Sequence, residues 1–168
     1  MRRPGAGFVA ARTDSAPTAT SVNVTTYADM KVKNLVVGGL GYHNCAVFDD
    51  RSIKCWGYND GSGTLGLGDM ENHGDGPNEM GTHLPFLNVG GGRTVKSIVG
   101  GSDHTCALLD NNTVKCWGHN NDTSSGALGL GDTDNRGDGP DEMGADLLAV
   151  DLGAGRTARS VVAGDTHT

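Results

Sequence analysis

The sequence predicts an all-β chain assembled from two copies of one antiparallel unit. Three observations carry this reading. The fifteen-residue stretch "HNCAVFDDRSIKCWG", His43 to Gly57, returns as "HTCALLDNNTVKCWG", His104 to Gly118, with both cysteines and the tryptophan in register. Glycine supplies 28 of the 168 residues, well above the usual ~7%, and shows no Gly-X-Y period that would suggest collagen; at this density, between short apolar runs, it marks tight turns joining short strands. No apolar pattern keeps a helical period over about ten residues.

The two copies order the chain. Gly63–Thr105 aligns without gaps on Gly126–Thr168 at an offset of 63 residues, and His43–Gly57 aligns on His104–Gly118 at an offset of 61. The difference falls in a polar segment, "HNNDTSSGALG" against "YNDGSGTLG", where a loop absorbs an insertion. Residues 1–30 read as a flexible or weakly ordered N-terminal segment. Its Arg2, Arg3 and Ser/Thr-rich stretch also fit an organelle transit peptide, while Pro4 and Gly7 break the apolar patch that a secretory signal needs. Repeats fill 31–168: a first unit at 31–93, a second at 94–160, and at 161–168 the start of a third, where Gly164, His167 and Thr168 match Gly101, His104 and Thr105.

Within a unit, each element follows from residue type. "KNLVVGG" and "VKSIVGG" are strand-length apolar runs closed by glycines, and the His-x-Cys and Cys-Trp-Gly runs on either side of a turn make a hairpin. If Asp110-Asn111-Asn112 is a three-residue loop, Leu109 faces Thr113 and Cys106 faces Cys116. The same register sets Cys45 opposite Cys55. The third loop residue is then left-handed, which Asn112 tolerates better than Arg51. Both cysteine pairs fall at non-hydrogen-bonded sites, where Cα atoms approach to about 4.5 Å, near the lower limit for a disulfide. One bridge per unit is geometrically open, and so is a pair of buried thiols in a reducing compartment. The nine-residue gap is not a zinc-knuckle spacing. Beyond the hairpin, a polar loop leads to "LGLGD", then to the acidic loops Asn72–His83 and Asn135–Asp146. A short run near Leu84 or Leu147 closes the unit.

Candidate chemistry is absorbed by the repeat. His43, His104 and His167 recur in register, as do Trp56-Gly57 and Trp117-Gly118, and a residue copied once per unit reads as a structural position. "LGLGDM" and "LGLGDT" lack the Gly-Lys-Ser/Thr ending of a P-loop. "DTDNRGDGPDEM" places Asp132, Asp134 and Gly137 at calcium-loop positions but has Met143 where the bidentate carboxylate belongs. "RGD" at Arg136–Asp138 spells an adhesive tripeptide that the sister copy, reading "HGD", does not repeat. No catalytic residue, cofactor site or metal site is assigned.

The formal charge is −7 and there is no basic run beyond Arg2-Arg3, so direct nucleic-acid binding is not expected. No stretch reaches the 18 or so apolar residues of a membrane span. The sequence assigns no compartment.

The succession "GGSDHTCALLDNNTVKCWG", "GALGLGD" and "AGDTHT" resembles the repeat of the regulator of chromosome condensation family, over roughly Lys33 to Thr168. The resemblance implies a seven-bladed β-propeller with four-stranded antiparallel blades. Two copies do not close such a ring, so the chain is expected to be a piece of a longer propeller or to complete its ring by self-assembly. The unit is also longer than the family's usual fifty-odd residues, with the excess in the two acidic loops. Some members of the family exchange nucleotide on small GTPases and others contact chromatin. The expected function is a protein-interaction scaffold without catalysis, its binding surface including Asp75, Glu79, Arg136, Asp138, Asp141 and Glu142, its partner a basic protein or a small GTPase. The alternatives are an exchange factor, as part of a full propeller, and a secreted, disulfide-stapled repeat protein.

Overall fold

The computed structural model describes residues 30–39, 42–59, 61–120 and 126–168. The N-terminal segment, read as flexible or as a targeting peptide, lies outside them apart from Met30, as does part of the polar insertion of the second copy. Among the described residues there is no helix. Two three-stranded antiparallel sheets are formed, by β1 (Val32–Val37), β2 (His43–Phe48) and β3 (Ile53–Gly57), and by β4 (Val95–Gly100), β5 (His104–Leu109) and β6 (Val114–Gly118).

The middle strands read as near-continuous apolar runs because both of their faces are covered; every residue of β5 is buried. The hairpin register is the one that the three-residue loop dictates. Cys45 pairs with Cys55 and Cys106 with Cys116, and the loop closes through Phe48 N to Ser52 O and Leu109 N to Thr113 O, both 2.9 Å. Arg51 and Asn112 are left-handed, each with φ 68°. Polar side chains fix the turn: Asp50 accepts from the amide and hydroxyl of Ser52 at 2.9 and 2.6 Å, and Asn111 does the same for Thr113 at 3.2 and 2.8 Å.

Each unit has three strands where the resemblance implies four. The chain that returns along the outer strand makes one isolated bridge, Gly57 with His73 or Gly118 with Arg136, and one further bond, Leu87 N to Ile53 O at 2.9 Å or Val150 N to Val114 O at 2.8 Å. In the first copy Pro85 has no N–H to give, and Gly90, at φ 88°, turns the chain away before a ladder forms.

The main core lies between the sheets. Val47, Ile53, Leu65, Leu87 and Val89 of the first unit meet Val95, Ile98, Leu109, Trp117 and Leu147 of the second. Burying an aliphatic side chain of this size is worth about 1.5–3 kcal/mol. A backbone bond joins the second unit to the first, Val95 N to Arg51 O at 3.2 Å, and at the equivalent point of the repeat Ala158 N donates to Asn112 O at 2.9 Å.

All four cysteines are in disulfides, Cys45–Cys55 and Cys106–Cys116, each with Cα atoms 4.1 Å apart. The alternative of two buried thiols per unit is thereby set aside. No helix of the described residues is long and apolar enough to cross a membrane.

Candidate partner-binding loops

The chain that leads to each acidic loop leaves the sheet where the last strand of a unit ends. Gly57 (φ 116°) and Gly118 (φ 104°) turn the chain out of the sheet. Next comes a fully buried asparagine that ties this leading segment to the start of the acidic loop. Asn59 accepts from Leu65 N at 2.9 Å and donates to Asp69 O at 2.8 Å, while its own amide donates to Asn72 Oδ1 at 3.0 Å. Asn120 repeats the set with Leu128, Asp132 and Asn135 at 3.2, 2.9 and 2.9 Å.

A carboxylate then folds each loop on itself. Glu79 Oε2 accepts from the amides of Gly74, Asp75 and Gly76 at 2.9, 3.1 and 2.8 Å. Glu142 Oε2 accepts from Gly137, Asp138 and Gly139 at 3.0, 3.2 and 2.9 Å. Three convergent N–H groups make an anion nest, here filled by the loop's own side chain. The amides of Gly76 and Gly74 hold the Glu79 carboxyl below its ordinary range. Glu142 also lies below its ordinary range: partial burial works the other way, and the hydrogen bond from Asp138 with the Gly139 and Gly137 amides outweighs it. Asp138 is raised by burial and by Glu142, so Asp138 is the member of this pair that takes up a proton first.

Of the six predicted loop residues, Asp75 and Asp141 are exposed, while Glu79, Arg136, Asp138 and Glu142 are half-buried. Glu79 and Glu142 hold their own loops together. The Arg136 guanidinium donates to Asp132 Oδ2 at 2.7 Å and to the carbonyls of Asp134 and Asn135 at 3.0 and 2.9 Å, so the cation of the "RGD" tripeptide is bound within its own loop. The second loop packs against the first unit, where Gly68 N donates to Gly137 O at 3.1 Å.

His43, His104 and Trp117 lie at the seams. His43 Nε2 meets Thr105 Oγ1 at 3.0 Å, and His104 Nε2 meets Thr168 Oγ1 at 2.9 Å, so each histidine reaches the threonine that follows the next copy's histidine. His167 is exposed. Gly101 leaves room for the ring, since a Cβ there would overlap His104. Burial lowers the pKa of His104, as do the neighbouring His167 and His119. Trp117 is fully buried and its Nε1 donates to Thr64 O at 3.1 Å; Trp56 is half-buried. Asn59, Asn120 and Thr64 escaped the sequence reading, although Asn59 and Asn120 stand in register after Trp-Gly-x. Among the described residues, no three or more His, Cys, Asp or Glu are grouped to hold a metal ion.

A family model described as the regulator of chromosome condensation (RCC1) repeat matches residues 95–123. No curated protein matches the chain. Among solved structures, human WBSCR16 is similar over 80% of this chain and 29% of its own, at 19% identity and a TM-score of 0.52. Prp20p from Saccharomyces cerevisiae, described with its binding properties to Gsp1p and histones, is similar over 76% of this chain and 27% of its own, at 20% identity and a TM-score of 0.52. Yeast RCC1 (Prp20), with Kap60 bound to it, is similar over 79% and 28%, at 22% identity and the same TM-score. The chain spans less than a third of the length of each, and at these identities the likeness is one of fold.

Proposed function

We propose that this chain, which is built from repeats of the regulator of chromosome condensation family, is a protein-interaction scaffold that offers its paired acidic loops to a basic protein. The observation that carries this reading is the self-stapling of both loops. Glu79 and Glu142 spend their charge on backbone amides, which fixes the loops and leaves Asp75 and Asp141 exposed at their surface. A loop ordered before binding loses little conformational entropy when a partner arrives, and a net charge of −7 favours a cationic one. The likeness to Prp20p, which binds histones, supports a basic partner.

The test uses a Lys/Arg-rich histone-tail peptide as the probe, titrated calorimetrically at low and at raised salt. Binding is expected to weaken as salt shortens the screening length from about 10 Å at 0.1 M toward about 3 Å at 1 M, and to weaken again in a chain carrying Asp75→Asn and Asp141→Asn together. Salt-independent binding, or binding unchanged in that variant, overturns the reading. A finer reading, nucleotide exchange on a small GTPase, draws on the family alone; it predicts accelerated nucleotide release from a GTPase panel and is dropped if no member responds.

A further inference from the structure

The sheets of this acidic chain end on a basic surface. Four backbone bonds gather the chain at the hairpin-turn end: Asp49 N to Lys31 O and Asp110 N to Thr94 O, both 2.9 Å, Val95 N to Arg51 O at 3.2 Å, and Ala158 N to Asn112 O at 2.9 Å. They bring Lys31, Lys33, Arg51, Arg93 and Lys96 to one end, with Arg156 and Arg159 beyond them, and all are exposed. The repeat sets their places. Arg93 and Arg156 share one position, and Lys33, Lys96 and Arg159 share another. There the charge is kept while the side chain changes, which packing would not require. Lys33 and Lys96 are each the extra residue of a β-bulge, between Val32 and Asn34 and between Val95 and Ser97, and a bulge re-aims its side chain. Lys96 is exposed although Val95 and Ile98 beside it are buried. Arg51, Arg93 and Lys96 belong to the middle of the chain, where Val95 N meets Arg51 O, so their exposure does not depend on where the chain begins or ends.

The acids at this end are occupied. Asp49 accepts from the Asp50 amide at 3.1 Å, Asp50 from the Ser52 amide at 2.9 Å and Asp151 from the Gly153 amide at 2.8 Å, while Asp110 meets Arg93 at 3.6 Å. Lys96 donates to Asn112 Oδ1 at 2.5 Å. Lys33, Arg51, Arg156 and Arg159 make no ion pair among the described residues. The cations elsewhere are spent within the fold: Lys54 on Gly81 O, Lys115 on Val89 O and Gly144 O, and Arg136 on Asp132. We propose that the hairpin-turn end is a docking surface for a carboxylate-rich segment of a partner protein. An exposed guanidinium can take a carboxylate through two parallel hydrogen bonds. A nucleic-acid backbone fits this surface less well. It draws on cations along its length, and beyond the patch it would run over a chain of net charge −7. A short acidic segment ends within the patch. The surface lies at the opposite end of the sheets from Gly57 and Gly118, where the chain leaves for the acidic loops, so the inference does not depend on the basic-partner reading.

The test uses a short poly-glutamate peptide as the probe, titrated against the whole chain by fluorescence anisotropy. The wild-type chain should bind it, and more weakly as added salt shortens the screening length. Arg51→Asn, which copies the residue that Asn112 supplies to the sister turn, combined with Lys96→Gln should weaken binding about tenfold. Arg51→Lys with Lys96→Arg, which keeps both charges, should retain most of it. Circular dichroism is read alongside, and Arg156→Gln with Arg159→Gln repeats the test where the first pair unfolds the chain. The inference is overturned by a wild-type chain that does not bind the peptide, or by a folded charge-removing variant that binds like wild type. It is equally overturned by tighter binding of a DNA duplex of the same charge, which would make phosphate the preferred anion. A chain that binds the histone-tail peptide but not poly-glutamate would sink this surface alone and leave the acidic-loop reading standing.

Discussion

The imidazole Nε2 of His43 and the hydroxyl of Thr105 lie 3.0 Å apart across the seam between the two units. The hydroxyl's single proton goes to Thr64 O, also at 3.0 Å, so the ring nitrogen is the donor. Replacing Thr105 with valine keeps the shape but takes from Thr64 O the hydroxyl donor that it shares with the Trp117 indole, and from the histidine nitrogen its threonine acceptor. The loss should be about 1–3 kcal/mol, read as a lower urea midpoint at unchanged slope.

The two tryptophans separate a sequence motif from its packing. Trp117 is fully buried and bonded across the seam, whereas Trp56 is half-buried. Trp117→Ala should cost about 3–5 kcal/mol and Trp56→Ala well under half of that, compared by denaturant unfolding of the two variants side by side. Equal losses would mean that the seam is not what makes Trp117 matter.

Each disulfide closes a loop of ten-residue separation within a single hairpin. Removing either pair, as Cys45→Ser with Cys55→Ser or Cys106→Ser with Cys116→Ser, should lower stability by about 2–3 kcal/mol. Thiol titration of the oxidised, denatured chain should find no reactive sulfur.

His104 makes stability depend on pH. Its folded pKa is depressed, first by burial and then by His167 and His119. Between that value and an unfolded pKa near 6.5, the unfolded chain binds the extra proton. The contribution is therefore whole above about pH 6.5 and is lost as pH falls through the folded pKa. Denaturant midpoints should fall on acidification over this window, and His104→Asn should flatten the slope.

The acidic loops should keep their shape further into acid than ordinary carboxylates allow. With the Gly76 and Gly74 amides holding Glu79 ionised, its side-chain resonance should titrate below the normal glutamate range, and the Gly74–Gly76 amides should stay protected from exchange until it does. Glu79→Ala should expose those amides at every pH.

The hairpin was legible because its constraints are local. Two cysteines, a three-residue polar loop and the alternation of faces admit few registers, and the pairing of Cys106 with Cys116 follows from them. The outer edge of each sheet was less legible. In the first copy Pro85 and Gly90 interrupt a run that the resemblance would make a strand, leaving a single bond from Leu87 to Ile53. The loops were legible in composition but not in geometry. Asp75 and Glu79 look alike as acidic residues, yet one is exposed and the other is enclosed by three amides. The recurrent Gly-Asp-Gly-Pro-x-Glu spacing was the available clue, since small residues before a carboxylate let backbone N–H groups converge. Asn59 and Asn120 were obscured by their polar neighbours, because burial of an amide depends on distant partners such as Asp69 and Asp132.

Because each disulfide begins and ends within one hairpin, the covalent cross-links stop short of the seam, where the two units are joined by the chain, by the shared core and by hydrogen bonds. Pulled from its ends, the chain should therefore extend everywhere except inside the two hairpins, where each bridge withholds about ten residues, or about 35 Å of contour length. Reduction would return that length.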